Sequence, residues 1–340
     1  MFLEQELVFL NSILKKTNNI VIVSHRNPDG DAIGSSLALK HFFELLNQKV
    51  SVLIPNELPD FLHWMPNSND IIIVENNTEI AQELINNATL IFTLDFNALH
   101  RTGEITENLL KKATANFVMI DHHIEPQDYA KYIFSNVNYA STAEMVYDFI
   151  EALNKKELIN KDIATCLYTG IVTDTGSFKY PSTTAKTHLR TAFLLSKNIE
   201  TTEIHQNLFD NFSYNRMKLL GKALQNLKYI QKYKTAYITL STEELEKYWH
   251  KKGDTEGIVN YGLNIKNVDF AAIFIENREE KIIKISFRSQ GNFDVNLFAR
   301  KHFNGGGHKN AAGGKSFLSL EETVNKFINI LAQDKNYEVN

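Results

Sequence analysis

The sequence predicts an α/β protein of two domains, a larger one built on a mostly parallel sheet and a smaller α/β unit with its own sheet, joined by a helical connector. Three observations predict it. Short β-branched apolar runs alternate with helical stretches as far as residue 121, the rhythm of βαβ units covered by helices on both faces. A polar helical stretch without a strand, 198–230, precedes a second set of strand-like runs. The length of 340 residues exceeds the usual size of one domain, and a 43% hydrophobic content supplies core for two.

Taken in order, Leu3, Leu7, Leu10 and Leu14 repeat at helical spacing, so 3–16 reads as an amphipathic first helix. Strands are expected at 20–24, 49–54, 71–74, 89–95 and 116–121, and helices at 31–47, 79–86 and 104–113. From 141 to 195 the pattern is mainly helical, with YTGIVTDTGSF embedded in it. The second set places strands at 235–240, 270–276 and 281–288, with helices near 242–249, 293–303 and 320–333. GGGHKNAAGG at 305–314 lies between the last two helices. The domain boundaries that follow are 1–195, 196–230 for the connector, and 231–340.

Composition removes several function classes. Cys166 is the only cysteine, so there is no internal disulfide and no thiolate-based zinc site; a metal must sit on oxygen and imidazole. No run of eighteen apolar residues occurs, and acidic residues stand where a secretory signal would be positive, so a cytoplasmic protein without a membrane partner is expected. A net charge of −4 argues against a groove for long duplex nucleic acid. Residues 1–210 carry 16 Lys+Arg against 26 Asp+Glu, net −10, and 211–340 carry 20 against 14, net +6. An acidic part suits cations and a basic part an anionic substrate, although ordinary surface variation gives such a split as readily.

Three acidic-histidine clusters end apolar runs, where open α/β sheets gather ligand-binding residues. His25, Asp29 and Asp31 follow the first run, with Pro28 and Gly30 forcing a turn; Asp95 closes the LIFTL run; Asp121, His122 and His123 close NFVMI. Two divalent ions about 3.5–4 Å apart need a bridging ligand with two oxygens, and Asp95 is the natural bridge. His122 and Asp174, the latter in the loop of GIVTDTGSF, would complete a second shell. Singly, each element has a plainer reading. Asn-Pro-Asp-Gly is a turn sequence, Asp31 or Asp95 would serve as a helix cap, and a glycine triplet is a flexible loop. Two adjacent imidazoles after a buried strand are harder to dismiss, because they are costly to desolvate without partners.

HRNPDGDAIGSS, the Asp95 strand end, the DHH at 121–123 and the Asp174 loop resemble, in order, the four motifs of the DHH phosphoesterase superfamily. SFRSQG and GGGHKNAAGG resemble the signature of its associated DHHA1 domain. The likeness covers nearly the whole chain, and the layout is most similar to the bacterial oligoribonuclease/pAp phosphatases, the nano-RNases. It implies a DHH domain over 1–195, a DHHA1 domain over 231–340, and an active site in the cleft between them. It implies one ion on His25, Asp29 and Asp95, and another on Asp31, Asp95, His122 and Asp174. Manganese suits this mixed ligation, with magnesium second. His123 would bond the scissile phosphate or protonate the leaving oxygen, or else only orient Asp121. Arg101 would reach a phosphate or be a solvated charge. In the DHHA1 part, Arg288, Ser289, Gly305, Gly306, Gly307 and His308 would grip the rest of the substrate.

The implied activity is hydrolysis of short RNA fragments to mononucleotides and of adenosine 3′,5′-bisphosphate (pAp) to AMP, by hydroxide generated between two cations. A homodimer is compatible with it. The competing readings are a phosphodiesterase for cyclic or linear dinucleotides, a RecJ-like exonuclease, a manganese pyrophosphatase and a non-catalytic nucleotide sensor.

Overall fold

A computed structural model describes residues 4–251 and 253–333, without the side chains of 4–7 and 9. The chain forms two compact units, Met1–Asn211 and Phe212–Asn340, so the division falls inside the stretch expected to connect them.

The first unit runs α1 (Glu4–Ile13), β1 (Asn19–Val23), α2 (Gly30–Leu45), β2 (Lys49–Ile54), β3 (Ile72–Ile73), α3 (Thr78–Asn86), β4 (Leu90–Leu94), α4 (Glu104–Leu110), β5 (Asn116–Asp121) and β6 (Tyr132–Ser135). Helices α5 (Thr142–Ala152), α6 (Lys161–Asp174), α7 (Ala185–Leu195) and α8 (Thr201–His205) complete it, the last followed by a π-helical turn at Gln206–Asp210. Leu10 in the first helix and Leu14 just past its end are buried, while Leu3 and the Leu7 side chain lie outside the described residues.

All six strands pair in parallel, in the order β3-β2-β1-β4-β5-β6. The chain winds outward in one direction from β1 and in the other from β4, so the switch point lies between these two strands. Alternation along β1 divides its side chains between two cores. Ile20 and Ile22 join Leu37, Phe43, Phe149 and Leu167 on the side of α2, α5 and α6, and Val21 and Val23 join Ala81, Ile85 and Leu109 on the side of α3 and α4. Burial on both faces is why these strands read as continuous apolar runs. β6 was not expected; it adds to the edge next to β5 with its residues alternately buried and half-buried.

In the second unit, α9 (Tyr214–Gln225) leads into β7 (Lys228–Ile230), β8 (Thr235–Leu240), α10 (Thr242–Lys247), α11 (Asn260–Leu263), β9 (Phe270–Asn277) and β10 (Ile282–Ser289). Then come α12 (Val295–His302), β11 (Gly306–His308), β12 (Ala311–Ser316) and α13 (Leu320–Gln333). The sheet order is β11-β12-β10-β9-β8-β7, with only β8 and β9 parallel. One face packs Phe270, Phe274 and Phe287 against Phe298, Phe303 and Phe327; the other packs Ile238, Ile273 and Ile275 against Leu219, Ala223 and Leu245. One expectation is corrected here: the connector contains a strand, β7. The glycine-rich segment, for which no strand was expected, is a hairpin, β11–β12, extending the sheet from β10. No described helix is long and apolar enough to cross a membrane.

Candidate metal centre

The expected ligands come from three adjacent parallel strands and two helices. His25 follows β1, Asp95 follows β4, and His122 follows Asp121 at the end of β5. Asp29 is the N-cap of α2, its carboxylate accepting the N–H groups of Asp31 and Ala32, both at 3.0 Å. Asp31 therefore does not cap its own helix. Fully buried, it accepts the N–H groups of Thr142 (2.6 Å) and Ala143 (2.8 Å) at the start of α5, where the helix dipole favours a carboxylate.

Asp174 does not lie in a loop: it is the last residue of α6. It reaches the site because α6 approaches α2 through glycines. A Cβ on Gly34 would lie 2.5 Å from the Cys166 carbonyl oxygen and 2.9 Å from Gly170 N, and one on Gly30 would lie 2.4 Å from Thr173 Cγ2. Gly30 is thus required for helix contact, and the left-handed residue of the preceding turn is Asn27, with φ of 54°.

Asp95 has φ of 66°, in the left-handed region that non-glycine residues seldom occupy and that recurs at functional sites. Its Oδ2 lies 3.4 Å from His25 Nε2 and its Oδ1 lies 3.5 Å from His122 Nε2, while Thr142 Oγ1 donates to Oδ1 at 2.9 Å. Asp174 Oδ2 is 3.2 Å from His122 Nε2. Both histidines turn Nδ1 to a backbone carbonyl, His25 to Arg26 (3.0 Å) and His122 to Tyr139 (3.3 Å), which leaves Nε2 facing the carboxylates. His25, Asp29 and Asp95 offer atoms close enough to share one ion, as do Asp31, His122 and Asp174.

Burial pushes the Asp31 carboxyl well above its ordinary range, helped by the charges of Asp95 and Asp174. Burial likewise raises Asp174 to about 6, with Asp29 and Asp95 adding to it against the bond from His122. For His25 burial opposes the charged ring, but the Asp95 hydrogen bond and the Asp29 charge outweigh it and bring the ring to about 9. His122 is raised well above the ordinary value against burial by Asp174 and Asp95. Burial also works against ionised Asp95, yet His122 and His25 hold it well below the carboxylate range. The site thus sets buried carboxylates that repel one another against two imidazole rings that offset them. Hard oxygens and two inward Nε2 atoms are a donor set that fits manganese or magnesium.

His123 Nδ1 lies 2.7 Å from Asp121 Oδ1, and the His123 backbone N–H donates to Asp121 Oδ2 at 3.1 Å. His123 also stands near Asp95 and His122 as a third potential metal group, but its Nδ1 is committed to Asp121. Arg101 has an exposed side chain, and its backbone carbonyl accepts Arg26 N–H at 2.8 Å, tying that loop to the β1 turn.

In the second unit the expected substrate groups are partly committed within the fold. Ser289 is buried, its hydroxyl donating to Phe293 O (2.7 Å) and accepting from Asn310 Nδ2 (2.9 Å). The glycine triplet is shaped by its neighbour strand: a Cβ on Gly305 would lie 1.9 Å from Gly313 O, and one on Gly307 2.5 Å from Ala311 O. The Gly307 N–H donates to Asn296 Oδ1 at 3.0 Å, while Gly306 is less crowded. His308 ends β11 exposed, and half-buried Arg288 near the end of β10 donates to the Phe287 carbonyl at 3.0 Å. Sequence reasoning missed Thr142 and Asn296. Ser-Thr-Ala-Glu at 141–144 signals a helix start, which was its available trace.

A model of the DHH family N-terminal domain matches residues 19–171, and one of the DHHA1 domain matches 218–334. A probable bifunctional oligoribonuclease and PAP phosphatase of Streptococcus mutans is 28% identical over 309 residues, which are 91% of this chain and 93% of that protein. The bifunctional oligoribonuclease and PAP phosphatase of Bacillus subtilis is also 28% identical over 309 residues, 90% of this chain and 91% of its own. Among solved structures, an exopolyphosphatase-related protein from Bacteroides fragilis superposes with a TM-score of 0.95 at 40% identity, covering 98% of this chain and 97% of that one.

Proposed function

Because this chain belongs to the DHH family of phosphoesterases and carries a DHHA1 domain, we propose that it hydrolyses short oligoribonucleotides to mononucleotides and dephosphorylates pAp to AMP. The observation that carries the reading is Asp95, whose two oxygens face different histidines, each with its own acidic partners. His25, Asp29 and Asp95 would hold one divalent cation, and Asp31, Asp95, His122 and Asp174 a second, with manganese preferred over magnesium. Bound there, the pair would supply a nucleophilic water at neutral pH and neutralise charge on the phosphoryl oxygens.

The chain's own residues do the rest. Asp121 fixes the His123 ring through Nδ1, so that the ring's other edge contacts the scissile phosphate or passes a proton to the leaving oxygen. Arg101 is a candidate for a further phosphate oxygen. Arg288 and His308 would grip the part of the substrate that does not react, with Gly306 allowing close approach of the backbone. Similarity to the Streptococcus mutans and Bacillus subtilis proteins over nine-tenths of their length supports this substrate class.

A substrate panel with Mn2+ tests it, comparing two- to five-nucleotide RNAs, pAp, cyclic dinucleotides and pyrophosphate. Short RNAs and pAp should turn over fastest. Arg288→Ala and His308→Ala should raise KM for both while leaving bound metal unchanged. Preferred hydrolysis of pyrophosphate or of a cyclic dinucleotide would replace the substrate assignment.

A further inference from the structure

Thr142 is the first residue of α5 and is fully buried. Its two donors go to two different candidate ligands. The backbone N–H donates to Asp31 Oδ2 at 2.6 Å, and the hydroxyl donates to Asp95 Oδ1 at 2.9 Å. Three other buried threonine hydroxyls in this unit bond a carbonyl one helical turn back: Thr169 to Thr165, Thr175 to Ile171 and Thr191 to Thr187. Thr142 opens its helix and has no such carbonyl in the preceding turn. Its hydrogen goes instead to a carboxylate 47 positions away in the chain.

The bond is selective for one oxygen. Asp95 Oδ1 is on the His122 side and Oδ2 on the His25 side. A donor on a single carboxylate oxygen limits rotation about the Cβ–Cγ bond, which would otherwise be broad and roughly two-fold. The donor is itself firmly placed. Ser141 Oγ accepts the Glu144 N–H at 3.1 Å and caps α5, and Arg190 of α7 clamps Asp148 of the same helix through two hydrogen bonds, from Nε at 2.7 Å and Nη2 at 2.5 Å.

We propose that Thr142 is a positioning residue: it holds Asp95 with one oxygen toward each ion site and so sets the affinity of the His122-side ion more than that of the His25-side ion. The inference rests on the two-ion reading above. A hydrogen-bond partner that orients a metal ligand commonly accounts for about 10- to 100-fold in metal affinity, and Thr142 also keeps Asp31 in place through a backbone group that substitution leaves intact.

Titration of Mn2+ into the metal-free full-length protein, followed by calorimetry, tests it. Wild type should take up two ions. Thr142→Val keeps the shape and the N–H but removes the hydroxyl, and should weaken one of the two ions by about 10- to 100-fold with a smaller change in the other. Thr142→Ser should restore both affinities. Thr142→Ala set against Thr142→Ser gives the same comparison if the valine variant fails to fold, since these two differ by the hydroxyl alone. Equal binding of both ions by the valine or alanine variant overturns the proposal, as does a loss that serine does not reverse, which would make Thr142 a packing residue. A wild-type protein that takes up a single ion overturns instead the two-ion reading from which the asymmetry comes.

Discussion

At Asp95 backbone and side chain are committed to one arrangement: a left-handed φ, one oxygen toward each of two histidines, and a hydroxyl that fixes which is which. Asp95→Ala should therefore lose bound Mn2+ and with it more activity than the about 10- to 100-fold that outer-sphere partners account for, whereas Arg101→Ala should keep its metal. Metal analysis of the two purified variants decides between a bridging ligand and a bystander. The histidines give a pH signature. In the metal-free protein the His25 ring is raised from 6.5 to about 9, so its charged form is favoured more in the folded than in the unfolded chain. That contribution, on the order of 3 kcal/mol, is complete below pH 6.5 and is lost as pH rises through about 9. Stability in EDTA should accordingly fall across this window, while Mn2+ affinity should rise because binding displaces the same proton. Denaturant melts and metal titrations at several pH values check both, and metal-free stability that rises with pH over this range would contradict the placement of His25. The grouping of His25, Asp95 and His122 was legible in the sequence because they follow apolar runs and strand ends in such sheets converge, whereas Asp174 ends a helix and reaches them through the crossing of α2 and α6. Thr142 was not, because its bond to Asp95 exists only once α5 is docked. Nor was the use of the Gly307 N–H by Asn296, which depends on the hairpin.

Between elements, the crossing of α2 and α6 decides whether the centre closes, since α2 carries Asp29 at its cap and Asp31 in its first turn, and α6 ends on Asp174. Gly34→Ala would drive a methyl group into the Cys166 carbonyl and the Gly170 nitrogen, backbone atoms that cannot yield without moving the helix. Overpacking of this kind costs about 1–3 kcal/mol, and the displaced α6 should weaken metal binding as well. Urea melts and Mn2+ titration of the variant measure the two effects; a variant with unchanged metal affinity would show that the centre tolerates separation of these helices. The elements legible in the sequence are those with a strong periodic or β-branched pattern. Of those missed, β6, β7 and β11 are edge strands of three or four residues, too short to show a strand pattern of their own. β12 is Ala-Ala-Gly-Gly-Lys-Ser, with little strand propensity of its own, and it exists because six residues pair with β10 and Gly314 leaves room for Phe303.

Across the whole chain, charge argues for small substrates. Residues 1–210 carry a net −10 and 211–340 a net +6. A nuclease for long strands needs a continuous basic track that releases several counterions, and its affinity then falls steeply with salt. A chain with a net charge of −4, whose net positive part is the +6 of residues 211–340, is expected to offer few phosphate subsites. The most direct measurement is the rate constant for Mn2+-dependent hydrolysis of single-stranded RNAs from two to about twenty-four nucleotides at two or three salt concentrations. A metal-free control shows whether the reaction depends on the cluster around Asp95. The expected result is hydrolysis that requires metal, is fastest for the shortest RNAs, declines beyond about five nucleotides and depends weakly on salt. Equal or faster processive digestion of the longest strands with a steep salt slope, or hydrolysis that persists without metal, would contradict it.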